Sequence, residues 1–282
     1  MPNEELSQLG TCMKSLMNEI NSLKVPDGGV CLWFLGQNGW ILKSPSGFTL
    51  AVDPYLSDIC NGRRPNLNQK RQVPVFIDPV DLAVDLFACT HSHVDHACPT
   101  TIAGSWNAGT RRFMGPAETL GVFERAGIPK DERILFWPNH ELRFADLTFI
   151  GTFALPTDHT DLTHMGFVVA VDDGPRVYFT GDTAATDILW TAARHEPDVM
   201  IVCINAGFKN LSHWQAAEFV KVVDPKIAIP CHYDMFPDNS APPHMFRASL
   251  AVMGIEEKYK LVEHAKQFVY VKENVAHGDQ RA

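Results

Sequence analysis

The segment from His91 to His96 constrains this chain more than any other. It places three histidines and an aspartate within six residues, directly after the apolar run 85–89, which predicts a buried strand. Imidazole and carboxylate are ligands that hold Zn(II), Mn(II) or Fe(II). Because side chains alternate along an extended segment, His91 and His93 are expected to point the same way and bind one metal. Asp95 and His96 follow on a turn, where they can reach a second metal or a bound water.

Other residues of the ligand type follow predicted strands elsewhere in the chain. Asp53 ends the predicted strand 48–52, and Asp182 follows Gly181 at the end of the strand 176–180. A strand held in a sheet fixes the position of a ligand at its end, and a glycine lets the backbone turn sharply there. Two histidines occupy similar positions after predicted strands, His159 and His232.

The charge balance restricts the partners that this chain can bind. The 282 residues carry a formal net charge of −9, which argues against binding along a nucleic-acid backbone. A small anionic substrate remains compatible, because a bound metal supplies local positive charge. The segment 61–71 contains four cations, and Arg63 and Arg64 are candidates to clamp such an anion. The alternative is a solvated loop or a subunit contact, and a homo-oligomer stays open.

The cysteines and apolar segments favour a cytoplasmic protein. The seven cysteines are odd in number and include no CxxC pair, which is typical of reduced thiols. The N-terminus shows no basic segment followed by an apolar run, so we expect no signal peptide. No apolar stretch approaches the roughly 20 residues that span a bilayer, so we expect no membrane contact.

The order of predicted elements indicates one domain behind an N-terminal helix. Apolar residues at helical spacing between positions 4 and 24 predict an amphipathic helix that packs on the main body or on a second subunit. We therefore divide the chain into a helix at 1–28 and a domain at 29–282. Short strands and helices alternate through that domain, with a last pair of strands at 259–262 and 267–271. Two facing sheets with helices outside them fit this order.

The motifs together resemble the metallo-β-lactamase superfamily. The pattern HxHxDH at 91–96 precedes a histidine, a Gly-Asp-Thr at 181–183 and a strand ending in His232. The resemblance implies an α/β fold, a four-layer αββα sandwich of two mixed β-sheets with the metal site along one edge. Within the superfamily, several pieces resemble the L-ascorbate-6-phosphate lactonase group, at 33–43, 89–96, 113–116, 127–130 and 229–234.

Carrying the superfamily pattern over assigns the ligands of two metals. The first metal takes His91, His93 and His159, with Asp182 shared between both metals; a neighbour of His159, such as Asp158 or His164, is the alternative for completing this site. The second takes Asp95, His96, His232 and the same Asp182. The lactonase group shows no clear histidine at the position of His159 and is linked with Mn(II), so one or two ions, Zn(II) or Mn(II), both remain open. Other candidates support the ligands or contact the substrate: Asp53 and His164 for support, Tyr233 and His213 for contact. For His213, packing at a helix start is an equal alternative.

These assignments predict a hydrolase. Metal ions lower the pKa of bound water to about 7, and the resulting hydroxide attacks a carbonyl carbon or a phosphorus. Asp95 orients this water and relays its proton. The resemblance implies a lactone or another ester as substrate, with a sugar-phosphate lactone as the specific expectation. The alternatives are a phosphodiesterase acting on cyclic phosphate or RNA, and a non-catalytic metal-binding scaffold.

Overall fold

Two mixed β-sheets form the centre of the molecule, which we describe for residues 16–273 from a computed structural model. The first sheet has seven strands in the order β13–β1–β2–β3–β4–β5–β6. The strands β1 to β4 are antiparallel except for the parallel pair β3–β4, and β5 and β6 continue in parallel. Their bounds are β1 Gly29–Gly36, β2 Gly39–Lys43, β3 Thr49–Val52, β4 Leu86–Ala88, β5 Phe113–Gly115, β6 Arg133–Leu135 and β13 Gln267–Val271.

The second sheet has six strands in the order β12–β11–β10–β9–β8–β7. The neighbours β10, β11 and β12 run in parallel, whereas β7 to β10 form an antiparallel meander. Their bounds are β7 Glu141–Phe144, β8 Leu147–Phe153, β9 Met165–Val171, β10 Arg176–Phe179, β11 Val199–Cys203 and β12 Ile227–Cys231.

Helices cover the outer faces of both sheets. The α-helices are α1 Pro99–Ala108, α2 Ala117–Arg125, α3 His213–Val223 and α4 Pro243–Val252, and residues 16–22 are also helical. Shorter 3₁₀ helices occur at Pro79–Asp81, Lys130–Glu132, Asp187–His195, Gly207–Lys209 and Glu256–Lys258. Within the described part of the chain, every helix is too short or too polar to cross a membrane.

The alternation of apolar side chains along β1 shows how the layers are built. Leu32 and Phe34 belong to the core between the two sheets, and Trp33 between them belongs to a second core on the outer face. That outer core includes Ile102 of α1 and Phe123 of α2. Every side chain of β1 is buried because the sheet is covered on both sides. The predicted four-layer α/β sandwich is therefore confirmed.

The described part of the N-terminal helix packs on this outer face. Its Leu16, Met17 and Ile20 are buried in the same core as Trp33. Lys43, at the end of β2, donates hydrogen bonds to the backbone carbonyls at 20 and 21, at 2.7 and 2.8 Å. A cation at the carboxyl end of a helix is favoured by the helix dipole and by the unpaired carbonyls there. The rest of the predicted helix, before residue 16, lies outside the described residues.

The structure differs from the predicted elements in two places. The segment 259–262 was predicted as a strand, but only Tyr259 makes a bridge there, to Ala228. The strand β5 was not predicted, because three residues are too short for alternation to be recognised. It lies between β4 and β6, so its pairing is set by the sheet.

We predict that Lys43→Met loosens the N-terminal helix without unfolding the domain. Loss of the two bonds should lower the local opening free energy of residues 16–22 by about 1–2 kcal/mol. Amide hydrogen exchange of those residues measures this value. Lys24→Met, which removes an exposed lysine just beyond the helix, is the matched control. Equal exchange in both variants would show that Lys43 does not hold the helix.

Candidate metal centre

The candidate ligands meet where several strands of both sheets end. Asp53 follows β3, His91 follows β4 after two residues, Asp182 lies just beyond β10, and His232 follows β12. Gly181 allows this convergence, because its φ of +61° is left-handed and an added Cβ would lie 2.8 Å from the Cβ of Thr90. The two sheets therefore contribute side chains to one site at their shared edge.

Three histidines form the first group of the site. His91, His93 and His164 each offer one ligand atom, and these atoms all lie within 4.8 Å of one another. The imidazole centroids of His91 and His164 are 4.0 Å apart, and those of His91 and His93 are 4.5 Å apart. Three imidazoles with an open side are a donor set that suits Zn(II) and related divalent ions.

Asp95, His96 and His232 form the second group, and Asp182 lies between the two groups. Ligand atoms of Asp182 approach both His91 and His96 within 4.8 Å. Asp182 Oδ1 is 3.5 Å from His96 Nε2 and 3.3 Å from His232 Nε2. Asp95 Oδ2 is 3.5 Å from His232 Nε2. A carboxylate in this central position can bridge two metals roughly 3.5–4 Å apart.

Buried atoms without partners show that these residues fit a metal. His91 Nε2, His96 Nε2, His164 Nε2 and Asp182 Oδ1 are buried, and none has a hydrogen-bond partner within residues 16–273. A buried polar atom left unpaired normally costs about 1–3 kcal/mol. Four such atoms gathered in one place are explained if they coordinate a cation, so the donor set accommodates divalent metal.

Asp53 fixes the orientation of two of these histidines from behind. Its Oδ2 accepts hydrogen bonds from His96 Nδ1 at 2.9 Å and from Asn38 Nδ2 at 2.8 Å. It also accepts one from Thr90 Oγ1 at 2.6 Å, and that hydroxyl lies 3.1 Å from His91 Nδ1. Since Nδ1 of both rings is used in this way, Nε2 keeps its lone pair for a metal.

Three further candidate ligands, His93, His164 and Asp182, have comparable supports. Thr160 Oγ1 lies 2.9 Å from His93 Nε2 and donates to Asp158 Oδ1 at 2.7 Å, so Nε2 carries the proton and His93 Nδ1 keeps its lone pair. His164 Nδ1 donates to the backbone carbonyl of Asp182 at 3.2 Å. Asn210 Nδ2 donates to Asp182 Oδ2 at 2.6 Å and leaves Oδ1 toward the histidines.

The electrostatics of the second group favour a positive charge between its members. Burial disfavours the charged imidazolium, yet Asp182 and Asp95 outweigh burial and raise the pKa of His96, and Asp182 raises the pKa of His232 to about 9. Burial alone would raise the pKa of Asp182, but His232 and His96 hold it well below its ordinary value. A divalent cation supplies the same positive charge at this place.

The first group, in contrast, disfavours a positive charge on His91 and His164. Burial, reinforced by neighbouring histidines, holds the pKa of His91 well below its ordinary value. Burial also lowers the pKa of His164, although Asp182 opposes the shift. Both imidazoles are therefore neutral at pH 7, which is the form that binds metal.

A cavity of about 400 Å³ opens over the two groups. Its floor includes His93, Asp95 and Asp182, and its walls come from the segments 60–69 and 157–160 together with Phe208 and Asn239. Arg63 and Arg64 belong to that wall. The side chains of His93 and Asp95 are 21% and 20% exposed, so a small molecule in the cavity can reach them.

Comparison with known proteins agrees with this geometry. The family model described as beta-lactamase superfamily domain matches residues 31–232, from β1 to the last candidate histidine. The chain belongs to the beta-lactamase superfamily. A UPF0173 metal-dependent hydrolase of Thermodesulfovibrio yellowstonii is 25% identical over 244 residues, covering 80% of this chain and 86% of that protein. A relative of the same description from Archaeoglobus fulgidus is 26% identical over 253 residues, covering 85% and 98%.

Solved structures share the superfamily fold as well. Igni18, a metallo hydrolase from Ignicoccus hospitalis, superposes with a TM-score of 0.70 at 20% identity, covering 87% of this chain and all of that chain (100%). The architecture is thus shared along nearly the full length of that protein.

The structure places three of the candidate residues outside both the ligand groups and the cavity lining. His159 was assigned to the first metal, but it is exposed and belongs to none of the ligand groups, and His164 takes its place beside His91 and His93. His213 does not line the cavity, because its Nδ1 bonds Ser249 Oγ of α4 at 2.8 Å. Tyr233 packs against Phe34 with ring centroids 5.8 Å apart and also lies outside the cavity lining.

Sequence reasoning also missed polar residues that support the site. Asn210, Asp158 and Gln37 all bond candidate ligands. They lie 28, 65 and 58 residues from their partners, so spacing along the chain gives no signal for them. The structure does bring together six of the expected ligands, which are His91, His93, Asp95, His96, Asp182 and His232.

We predict that His164→Ala lowers metal affinity at the first group by at least about a hundredfold. Loss of a ligand should cost more than loss of its outer support, which typically costs 10–100-fold. His159→Ala is the matched control and should leave metal content unchanged. Titration of metal-stripped protein, with metal content measured by mass spectrometry, checks both variants. Metal loss in the His159 variant alone would reverse the assignment.

Proposed function

We propose that the protein is a metal-dependent hydrolase of a small anionic ester or lactone, with a sugar-phosphate lactone as the specific candidate. The observation that carries the proposal is the position of Arg63 and Arg64 on the wall of the same cavity whose floor holds His93, Asp95 and Asp182. Reactive and anion-binding groups thus face one another across a space that suits a small molecule. The names of the relatives support hydrolysis.

Seven residues would hold one or two ions of Zn(II) or Mn(II) in this proposal. His91, His93 and His164 serve one position, Asp95, His96 and His232 serve the other, and Asp182 is shared. When bound, such ions lower the pKa of coordinated water to about 7 and polarise the oxygen of the substrate carbonyl or phosphoryl group.

Asp95 is the residue that we assign to proton handling. Its carboxylate faces the cavity, and Gln37 donates to its Oδ2 at 2.7 Å. Burial would raise the pKa of this carboxyl, but His96 and His232 hold it below its ordinary value. Asp95 therefore stays a carboxylate, which accepts a hydrogen bond from the attacking water and orients it toward the substrate.

The arginines are placed by the structure of their loop. Arg71 ties the base of the loop, since its side chain donates to the backbone carbonyls of Val73 at 2.5 Å and Pro74 at 3.0 Å. Nearer the tip, the guanidinium of Arg64 lies 4.8 Å from the ring centroid of Phe208 on the opposite wall. An anionic group of the substrate would then meet planar donors that bind carboxylate or phosphate in a bidentate manner.

The lactone proposal draws on the resemblance to the L-ascorbate-6-phosphate lactonase group and on this cavity. The sequence pieces at 33–43 and 229–234 that carry the resemblance also carry Gln37 and His232 of the site. Phosphodiester cleavage uses the same donors, so it is the competing outcome of the test. A folded RNA would have to present one nucleotide to a cavity of about 400 Å³.

The test is a screen of metal-loaded protein against lactones, phosphorylated sugar lactones, simple esters, thioesters and cyclic phosphodiesters. Hydrolysis of lactones, lost on chelation and in the Asp95→Asn variant, would support the proposal. Activity confined to phosphodiesters would overturn the substrate class and keep the metal centre. Metal-loaded protein that is inactive across the whole panel would favour the non-catalytic scaffold.

We predict that Arg63→Ala and Arg64→Ala each raise KM for an anionic substrate by roughly 10–100-fold with little change in kcat. A charge-assisted hydrogen bond is worth about 1.5–3 kcal/mol, and these bonds act on the bound substrate rather than on the reacting atoms. Steady-state kinetics with the best substrate from the screen measures both constants.

Lys70→Ala is the matched control for this prediction. Lys70 is an exposed cation of the same loop that does not line the cavity, so its removal changes net charge equally. An equal rise of KM in the Lys70 variant would point to long-range attraction instead of a clamp. With a neutral analogue of the substrate, none of the three variants should raise KM.

A further inference from the structure

Gln37 occupies an unusual position beside the second group. It lies in the turn between β1 and β2, its side chain is fully buried, and its φ is +57°. A left-handed conformation is sterically disfavoured for a residue with a Cβ. Strain of this kind persists where the surrounding structure imposes it, and it is concentrated at functional sites.

The amide of Gln37 contacts two candidate ligands of the second group. Its Nε2 is 2.7 Å from Asp95 Oδ2 and 3.0 Å from His232 Nε2. One N–H donates to the Asp95 carboxylate, whose oxygens keep further lone pairs for a metal. His232 Nε2 has a single lone pair, so an ion bound there would take it and leave the amide bonded to Asp95. The Asp95 and His232 atoms are 3.5 Å apart, so fixing Asp95 sets its separation from His232.

The backbone of Gln37 is anchored independently of its side chain. Its N–H donates to Asp234 Oδ1 at 3.1 Å, and its carbonyl accepts a hydrogen bond from the N–H of His232 at 2.5 Å. The other carboxylate oxygen of Asp234 bonds His264 Nε2. The turn is therefore held against the strand end that carries His232, and the side chain has one direction in which to extend.

The oxygen of the Gln37 amide makes no hydrogen bond within the described residues. Gln37 Oε1 is buried, and no donor in the described residues reaches it. An amide placed only to fill space would leave this acceptor desolvated and unpaired, which destabilises the fold with no compensating contact. The burial of an amide with an unpaired oxygen next to two candidate ligands points to a role in the site.

We propose that Gln37 is a positioning residue for the second metal position. Its side-chain N–H holds Asp95, and its backbone carbonyl holds the backbone N–H of His232, so that less ordering is needed when the ion binds. The role requires the amide donor at this length, because a shorter side chain does not reach Asp95. This proposal rests on the two-metal centre proposed above and is independent of the substrate.

The test measures metal binding by Gln37→Met and Gln37→Asn. Methionine has similar length without a donor, and asparagine tolerates the left-handed backbone but brings its amide short of Asp95. Metal-stripped protein is titrated with Zn(II) by calorimetry, and the absorption spectrum of Co(II)-substituted protein reports the geometry at each position. We expect the second position to weaken by about 10–100-fold in both variants, with the first position unchanged.

Gln69→Met is the matched control. Gln69 lines the same cavity, and the structure from 16 to 273 shows no hydrogen bond from it to a candidate ligand. It should bind both ions as the unaltered protein does. Its Co(II) spectrum should also be unchanged.

The possible results separate the two proposals. Unchanged affinity at the second position in both Gln37 variants would overturn the role of Gln37. Equal weakening at both positions would also overturn it, because that result is expected of a merely structural residue. If the unaltered protein takes up one ion only, the two-metal centre fails and this proposal fails with it. A negative hydrolysis screen with two ions bound would leave the role of Gln37 intact.

Discussion

The buried carboxylate of Asp53 connects the metal-binding edge to the sheet that supports it. It lies at the end of β3, is fully buried, and accepts hydrogen bonds from His96, Asn38 and both the N–H and hydroxyl of Thr90. These partners come from two separate places in the chain, the turn between β1 and β2 and the segment 90–96. One residue therefore fixes the tautomer of His96 and, through Thr90, the orientation of His91. Without it, the histidine segment would follow a sheet edge with nothing to direct its rings.

The backbone around the centre is strained where the ligands emerge. Gln37, Asp53 and His232 all have left-handed φ values, of 57°, 44° and 59°. Each costs roughly 1–2 kcal/mol, which the packed layers on either side of the sheets must offset. The continuous core between the sheets and the outer core against α1 and α2 supply this stability. The backbone positions of the site are thus set by the packing of the protein itself, which suits coordination of fixed geometry.

The fold and most of the site were open to prediction from the sequence, but particular contacts were not. The α/β sandwich followed from the order of strands and helices and from the resemblance of HxHxDH. The sequence favoured His159 on the metal and His164 behind the ligands, and it left open that a neighbour of His159 completes the first site. The loop between the two histidines is turned by Asp161, which accepts bonds from Ser92 N at 2.5 Å and Thr163 N at 2.6 Å. That long-range anchor brings His164 inward and leaves His159 in solvent.

By itself, the sequence determined which chemical groups are available and which strand ends carry them, because burial and alternation are local properties of the chain. The sequence also indicated that His91, His93, Asp95 and His96 lie close together, since all four fall within six residues. Only the tertiary structure decided that His164 completes the first group and which distant residues support the ligands. Loops that close on a site are oriented by contacts between residues far apart in sequence, such as Gln37 with Asp95 and Asn210 with Asp182, and those contacts leave no periodic pattern in the chain.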